Sequence, residues 1–209
     1  CRKGIKMKKL KKINKGLILT IILLIILILY YNNIEKLRKN DKTEIKKACE
    51  DFIELTDKYS VLPQEIQTTQ TEIPEEKVAE YINQMKKELA NIMIDNQEAI
   101  NIQAKILENN LIDGYNETQV RTQLSRKILN ILSYQFEKDQ VTVNLIDKVK
   151  ETIKNSDGMQ EYNSDNEFTA GNDEIVVKKV DGKWKVVYAN LQFNDNMSYY
   201  NGLEREIGY

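Results

Sequence analysis

The chain has 209 residues, with 31 Lys or Arg against 32 Asp or Glu, no histidine and two cysteines, for a net charge of −1. That length suits one domain with an appendage. The missing histidine removes the usual general base and the commonest metal ligand, and two lone cysteines, Cys1 and Cys49, exclude a disulfide framework.

The appendage comes first. Eight basic residues lie between Arg2 and Lys15, and no acid occurs before Glu35. An apolar run of 15 residues from Leu17 to Tyr31 follows, broken only by Thr20. It is shorter than the roughly 20 residues a spanning helix prefers. Lys12 and Lys15 extend their ammonium groups back to the headgroups, while Tyr30 and Tyr31 suit the far interface, so the short run still spans. Leu17, Ile22, Leu27, Tyr30 and Tyr31 are the expected anchor residues. The positive-inside rule makes 1–15 a basic cytoplasmic tail and 16–31 an uncleaved transmembrane signal-anchor helix, with the rest of this single-pass chain outside the plasma membrane. A cleaved signal peptide needs small residues after the apolar run, and LILYYNNIEKLRK has no such pair. Met7 opens a more ordinary signal-anchor start, MKKLKKINKG.

Beyond the basic tail, acids outnumber bases by about nine. Such a domain is a poor partner for nucleic acid, whose phosphates need positive charge. The basic flank is explained by topology and by anionic lipid of the bilayer. Heavy use of Ile, Lys, Asn and Tyr points to an AT-rich genome and a Gram-positive bacterium.

Residues 32–43 read as a polar stalk, with Glu35 and Lys39 spaced for a helical ion pair. Ile45, Ala48, Cys49, Phe52, Leu55, Thr56 and Tyr59 then recur at the 3.6-residue period of one buried stripe. Cys49 on that stripe reads as a packed core thiol; a reactive thiol would need more positive charge than Lys46 supplies. Asp51, Glu54 and Asp57 alternate with Lys46, Lys47 and Lys58 and read as a solvated face. A Gln/Thr-rich loop covers 60–73. Pro74, Glu75 and Glu76 open a second helix whose seam is Val78, Ile82, Met85, Leu89 and Ile92, expected to pack on a core. A third helix covers 97–112 and ends at Asp113 and Gly114.

Strand character begins with KILNILSYQF, 127–136. VTVNLIDKVKETI, 141–153, keeps Val141, Val143, Leu145, Val149 and Ile153 on one face, with Asp147 and Glu151 marking where that face runs out or bulges. The polar stretch 155–166 reads as a connection. Its acids lack the spacing of a calcium loop, so no metal site is expected. Asn116 and Asn196 head glycosylation triplets, which matter only in a glycosylating host. Two strands, 174–180 and 183–193, join at Asp181-Gly182, a strong hairpin signal. On the last strand Trp184, Val186 and Tyr188 share one face and Val187, Ala189, Leu191 and Phe193 the other, which suggests a central or doubly covered strand.

The expected fold class is α+β: about three helices packed on a curved antiparallel sheet of about four strands, in a domain spanning 44–193, with a polar tail at 194–209. EIKKACEDFIELTDKYS as the opening helix, and KILNILSYQFEKDQVTVNLIDKVKETI with EIVVKKVDGKWKVVYANLQF as strands, resemble the nuclear transport factor 2-like superfamily. The tail, anchor and exported domain together are similar in layout to the inner-membrane scaffold of type IV secretion and Gram-positive conjugation systems. The resemblance implies a cone in which helices fill the concave side of the sheet, and an envelope scaffold with no catalysis and no cofactor. Its implied partners are other envelope proteins or further copies of itself. The alternative is a sensor holding a small apolar or peptide ligand inside the cone. Trp184, Val186, Tyr188 and Tyr59 are the candidate pocket or interface residues; no catalytic or metal-binding residue is expected.

Overall fold

The computed structural model describes residues 15–67, 75–116, 118–156 and 160–192, in two compact units, Cys1–Thr43 and Glu44–Tyr209. Helix α1 is Lys15–Tyr59. Its residues before Glu44 belong to the first unit, where Ile21 to Leu29 are each exposed by 47 to 63 %. Among the described residues no helix is long and apolar enough to cross a membrane. Of the expected anchor residues, Ile22 and Leu27 are exposed at 47 and 60 %, while the side chains of Leu17, Tyr30 and Tyr31, and the basic tail, lie outside the described residues. The side chain of Glu35, of the expected stalk pair, lies outside them too.

In the second unit, Ile45, Cys49, Phe52, Ile53 and Tyr59 of α1 are all buried. The 3.6-residue stripe is therefore the seam by which α1 enters the core. Helix α2, Glu75–Ile92, adds Met85 and Leu89. Helix α3, Gln97–Asp113, adds Ile100, Ala104 and Leu107. Asn96 caps α3, its side-chain oxygen accepting from the Glu98 and Ala99 N–H groups at 3.0 and 3.2 Å. Gly114 closes it, and a Cβ there would come within 2.9 Å of the Arg121 guanidinium.

Five antiparallel strands follow among the described residues, in sheet order β1-β2-β3-β4-β5. They are β1 (Tyr115–Asn116), β2 (Gln119–Glu137), β3 (Gln140–Ser156), β4 (Glu161–Val180) and β5 (Lys183–Asn190). The domain is thus α+β, three helices and an antiparallel sheet, as the sequence reading expects. The β4–β5 turn has φ of 50° at Asp181 and 79° at Gly182, the paired positive values that an Asp-Gly hairpin supplies at low cost. Bulges interrupt β2 at three places, the β3–β4 ladder beside Leu145, and the β4–β5 ladder beside Val177. Each inserts an unpaired residue that bends its strand and raises the local twist. One continuous core forms from Phe52, Leu89, Leu107, Leu145, Ile175 and Val186 with their neighbours.

Three expectations are corrected or narrowed. The described ends of the polar stretch, 155–156 and 161–166, are strand rather than connection, paired from Asn155↔Tyr162 to Glu151↔Asn166, because backbone pairing between β3 and β4 extends past the end of the hydrophobic core. Two of its acids turn to β3: Asp165 accepts from Thr152 at 2.7 Å and Glu161 pairs with Lys154 at 2.7 Å. Second, of the two alternatives for β5, it is doubly covered, with Val186, Val187, Tyr188 and Ala189 all buried, and not central, since it stands last in the sheet order. Its far side is covered where Ile94 N–H donates to Val186 O at 2.8 Å. Third, the bulge pairs Val177 with Val186 but Val176 with Tyr188, so the alternation along β5 changes phase at Val187. Val186 shares the core face with Ala189 and Leu191, and Tyr188 turns to the other face.

Candidate functional site

The four residues singled out from the sequence do not form one site. Val186 and Tyr59 are fully buried in the core; Tyr59 packs its ring 4.8 Å from that of Tyr81. Trp184 is half-buried at the core's rim, with the Lys179 ammonium 5.4 Å from its ring. Tyr188 lies on the opposite face. Helix side chains pack against the core face of the sheet, over Val186 and Tyr59 and against Trp184.

The group that the structure brings together is a buried charge cluster drawn from four elements. Arg126 stands on the core face of β2 between Leu124 and Ile128, its side chain fully enclosed. Its Nε lies 3.4 Å from Asp57 Oδ1, and its Nη1 lies 3.6 Å from Asp147 Oδ2 and 4.0 Å from Asp173 Oδ2. The Asp147 and Asp173 side chains are also fully enclosed. Asp57 Oδ2 accepts the backbone N–H of Arg126 at 2.6 Å. Nη2 of Arg126 donates to the carbonyl of Gln192 at 2.8 Å, and Asp173 Oδ1 accepts the Gln192 N–H at 2.7 Å. The residue beyond β5 is therefore held from two strands at once.

Local sequence explains the placement. Asp147 keeps the odd-numbered phase of Val143, Leu145 and Val149, so it continues the core face instead of ending it. Asn172, at φ 67°, is the bulge residue between Gly171 and Asp173. It shifts the phase of β4 so that Asp173 joins Ile175 and Val177 inside. Asp57 is buried where a wet helix face was expected, while Asp51 and Glu54 are exposed. Arg121 and Glu151 repeat the device one step along, 3.1 Å apart and nearly buried; Glu151 too lies inward of where the core face seemed to stop.

Three carboxyls facing one guanidinium leave excess negative charge away from water. Burial pushes the Asp57 carboxyl up to about 7 against the pull of the Arg126 charge and N–H. Burial, with the Asp147 carboxyl beside it, pushes Asp173 up to about 8. Burial also pushes the Cys49 thiol up to about 12. That agrees with a packed core thiol and leaves almost no thiolate to react.

Two open clefts flank the cluster, sharing Asp57, Lys58, Leu124 and Ser125. One of about 490 Å³ is bounded by Glu50, Glu54 and Arg126; the other, of about 710 Å³, reaches Lys150, Asp165 and Glu167. Neither is lined by Trp184, Val186, Tyr188 or Tyr59. Among the described residues no group of three or more acids, cysteines or histidines is arranged to hold a metal ion. Asp57, which lines both clefts, directs Oδ2 to the Arg126 N–H and Oδ1 towards its Nε.

No family model and no curated protein matches the chain. Among solved structures it is similar to the intermembrane space region of the chloroplast protein ARC6, with 9 % identity, TM-score 0.42, and coverage of 70 % of this chain and 92 % of that one. It also has neighbours of the nuclear transport factor 2-like fold. One is a superfamily protein from Salmonella enterica subsp. enterica serovar Typhimurium str. LT2, at 10 % identity and TM-score 0.35, covering 78 % of this chain and 98 % of that one. Another is a nuclear transport factor 2-like protein involved in plasmid conjugation, at 10 % identity and TM-score 0.33, covering 75 % of this chain and 53 % of that one. With these three TM-scores below 0.5 the likenesses are weak, and the fold stands on its own strand order and packing.

Proposed function

We propose that the chain is a single-pass membrane protein whose α+β domain lies outside the cytoplasm and serves as a protein-interaction scaffold in an envelope assembly, of the conjugation or secretion class, with no catalytic step of its own. The membrane half is supported by the apolar run Leu17 to Tyr31 and the basic flank before it in the sequence, of which Ile21 to Leu29, the described part, are helical and exposed by about half or more at every position. A helix apolar on all sides is stable in lipid or inside a protein, and a basic flank favours lipid. The scaffold half is supported by a core face packed with helix side chains and by buried charged groups that bond to one another. An alkaline carbonate wash of host membranes, followed by protease treatment of intact spheroplasts, tests the layout. Release by the wash, or a domain shielded from external protease, refutes it. Crosslinking in the same membranes tests the scaffold, and a chain recovered only as a monomer refutes that half.

The sensor reading retains one supporting observation, the open cleft of about 710 Å³ outside the core. It moves the ligand from the cone to the surface beside Lys58 and Lys150, and calorimetry against small polar metabolites tests it.

A further inference from the structure

We propose that β2 is the interface for a second copy of this chain: two β2 edges pair antiparallel about a two-fold axis at Leu132 and join two sheets into one. This deepens the scaffold reading by naming one partner, and the test below can fail without that reading failing.

β2 is an edge strand for most of its length. β1 pairs only with Gln119 and Val120, and beyond them no strand lies on that side among the described residues. Side chains close the edge as far as Arg126: Gln67 Nε2 donates to the Thr122 carbonyl at 3.4 Å, and Asp57 Oδ2 accepts the Arg126 N–H at 2.6 Å. From Lys127 to Glu137 the described strands flank β2 on the β3 side alone.

An edge of this length is a template for pairing unless charge, proline or brevity blunts it. Ile128 to Phe136, ILNILSYQF, contains no charged residue and no proline. Bulges are the protective device that remains, and here they carry leucine. The β2–β3 register passes from Ile128↔Asp147 to Asn130↔Ile146 and from Ile131↔Leu145 to Ser133↔Asn144, so Leu129 and Leu132 stand opposite no residue of β3. Each is 52 % exposed, and Phe136 is 41 % exposed. Large apolar side chains gathered on one exposed strand mark a contact surface.

Charge selects the partner and the register. Leu132 is the middle residue of the stretch from Lys127 to Glu137, so pairing that stretch with its own copy puts Lys127 against Glu137 at both ends. Ile128 then meets Phe136, a β-branched side chain beside an aromatic one, and Leu132 meets its own copy. Ile128 packs against the core, as does Tyr134, whose ring stacks on that of Phe136 with 6.4 Å between centroids. The Ile128–Phe136 contact therefore joins the rims of two cores. Sliding the copies by one residue sets Lys127 against Phe136 or Lys138 and loses the charge match. Two residues on, Lys127 meets Asp139, which already pairs with Lys178.

The test is disulfide trapping of the full chain in detergent micelles, with Cys1→Ser; Cys49 is buried and stays. Residues directly opposite in an antiparallel pair have Cα atoms about 4.5 to 5.5 Å apart, within disulfide reach. Leu132→Cys should therefore give a covalent dimer on mild oxidation. Lys183→Cys, exposed on β5 at the other end of the strand order, should not. Lys127→Glu or Glu137→Lys alone, both at exposed positions, should weaken the dimer about tenfold in sedimentation, since each sets two like-charge pairs face to face. The two changes together should restore it. A chain that stays monomeric, equal trapping through Lys183→Cys, or a double variant no tighter than the single ones overturns the β2 pairing. Oligomers crosslinked in membranes but not trapped through Leu132→Cys also overturn it, and leave the scaffold reading standing.

Discussion

Replacing Arg126 with methionine asks how much of the domain's stability passes through the buried cluster. Methionine keeps an unbranched stem and removes the one cation among Asp57, Asp147 and Asp173. It ends the ion pairs at 3.4 and 3.6 Å and the hydrogen bond to Gln192 O at 2.8 Å. A hydrogen bond to a charged group is worth about 1.5 to 3 kcal/mol. Breaking a buried pair from one side costs about 3 to 5 kcal/mol in all, and that total is expected here at about pH 8. Burial has already raised Asp57 to about 7 and Asp173 to about 8, and Arg126 lowers both; without it they rise further. A raised carboxyl costs the fold nothing below its unfolded value and progressively more as pH climbs through the folded one. Arg126→Met should therefore be mildest at about pH 5, where the carboxyls hold protons, and worst at about pH 8 or 9. Urea unfolding of 44–209 followed by Trp184 fluorescence reads both. A loss under about 1 kcal/mol at the higher pH, or equal losses at the two, refutes this account of the cluster.

Phe52→Ala empties a fully buried site on α1 and should cost about 3 to 5 kcal/mol by the same urea assay. Asn96→Ala removes the acceptor for two N–H groups at the start of α3 and should cost about 1 kcal/mol, with Asn96→Asp close to neutral. Cys49, buried and with its thiol pushed up to about 12, should resist maleimide in the folded protein at neutral pH and label promptly in urea. Gly182→Ala places a side chain at φ 79° and should destabilise by about 1 kcal/mol, read as a lowered midpoint of thermal unfolding.

Elements with a strong local signal were legible in the sequence. The seam of Met85 and Leu89, the Asp181-Gly182 turn and the odd-numbered face of β3 each rest on a repeat or a dipeptide with a direct conformational cause. The first half of β4 was illegible because its residues are polar on both faces, and only the ladder to β3 makes them a strand. Val187 hid its bulge because the residues around it are apolar whichever way the phase runs. The cluster was missed for a different reason. Charged residues are outside as a rule, so Asp57, Asp147 and Asp173 read as solvent markers. Two signals were present: Asp147 lies between Leu145 and Val149 in a continuing apolar phase, and Arg126 falls in phase with Leu124 and Ile128. Neither could show that Asp57, far away in sequence, meets Arg126 N–H at 2.6 Å.

Strand order in this sheet is the order of synthesis, and that has a consequence on the ribosome. Each strand from β3 onward finds its partner already made, by local hairpin closure, which keeps the sheet's own assembly fast. The helices emerge earlier and have no such neighbour. Phe52, Leu89 and Leu107, all fully buried in the finished domain, must wait for Val143, Ile175 and Val186 before any of them is covered. During that interval the nascent chain presents its largest apolar side chains to chaperones or to other chains. Folding yield should therefore depend more on how long that wait lasts than on the strength of any single contact in the native sheet.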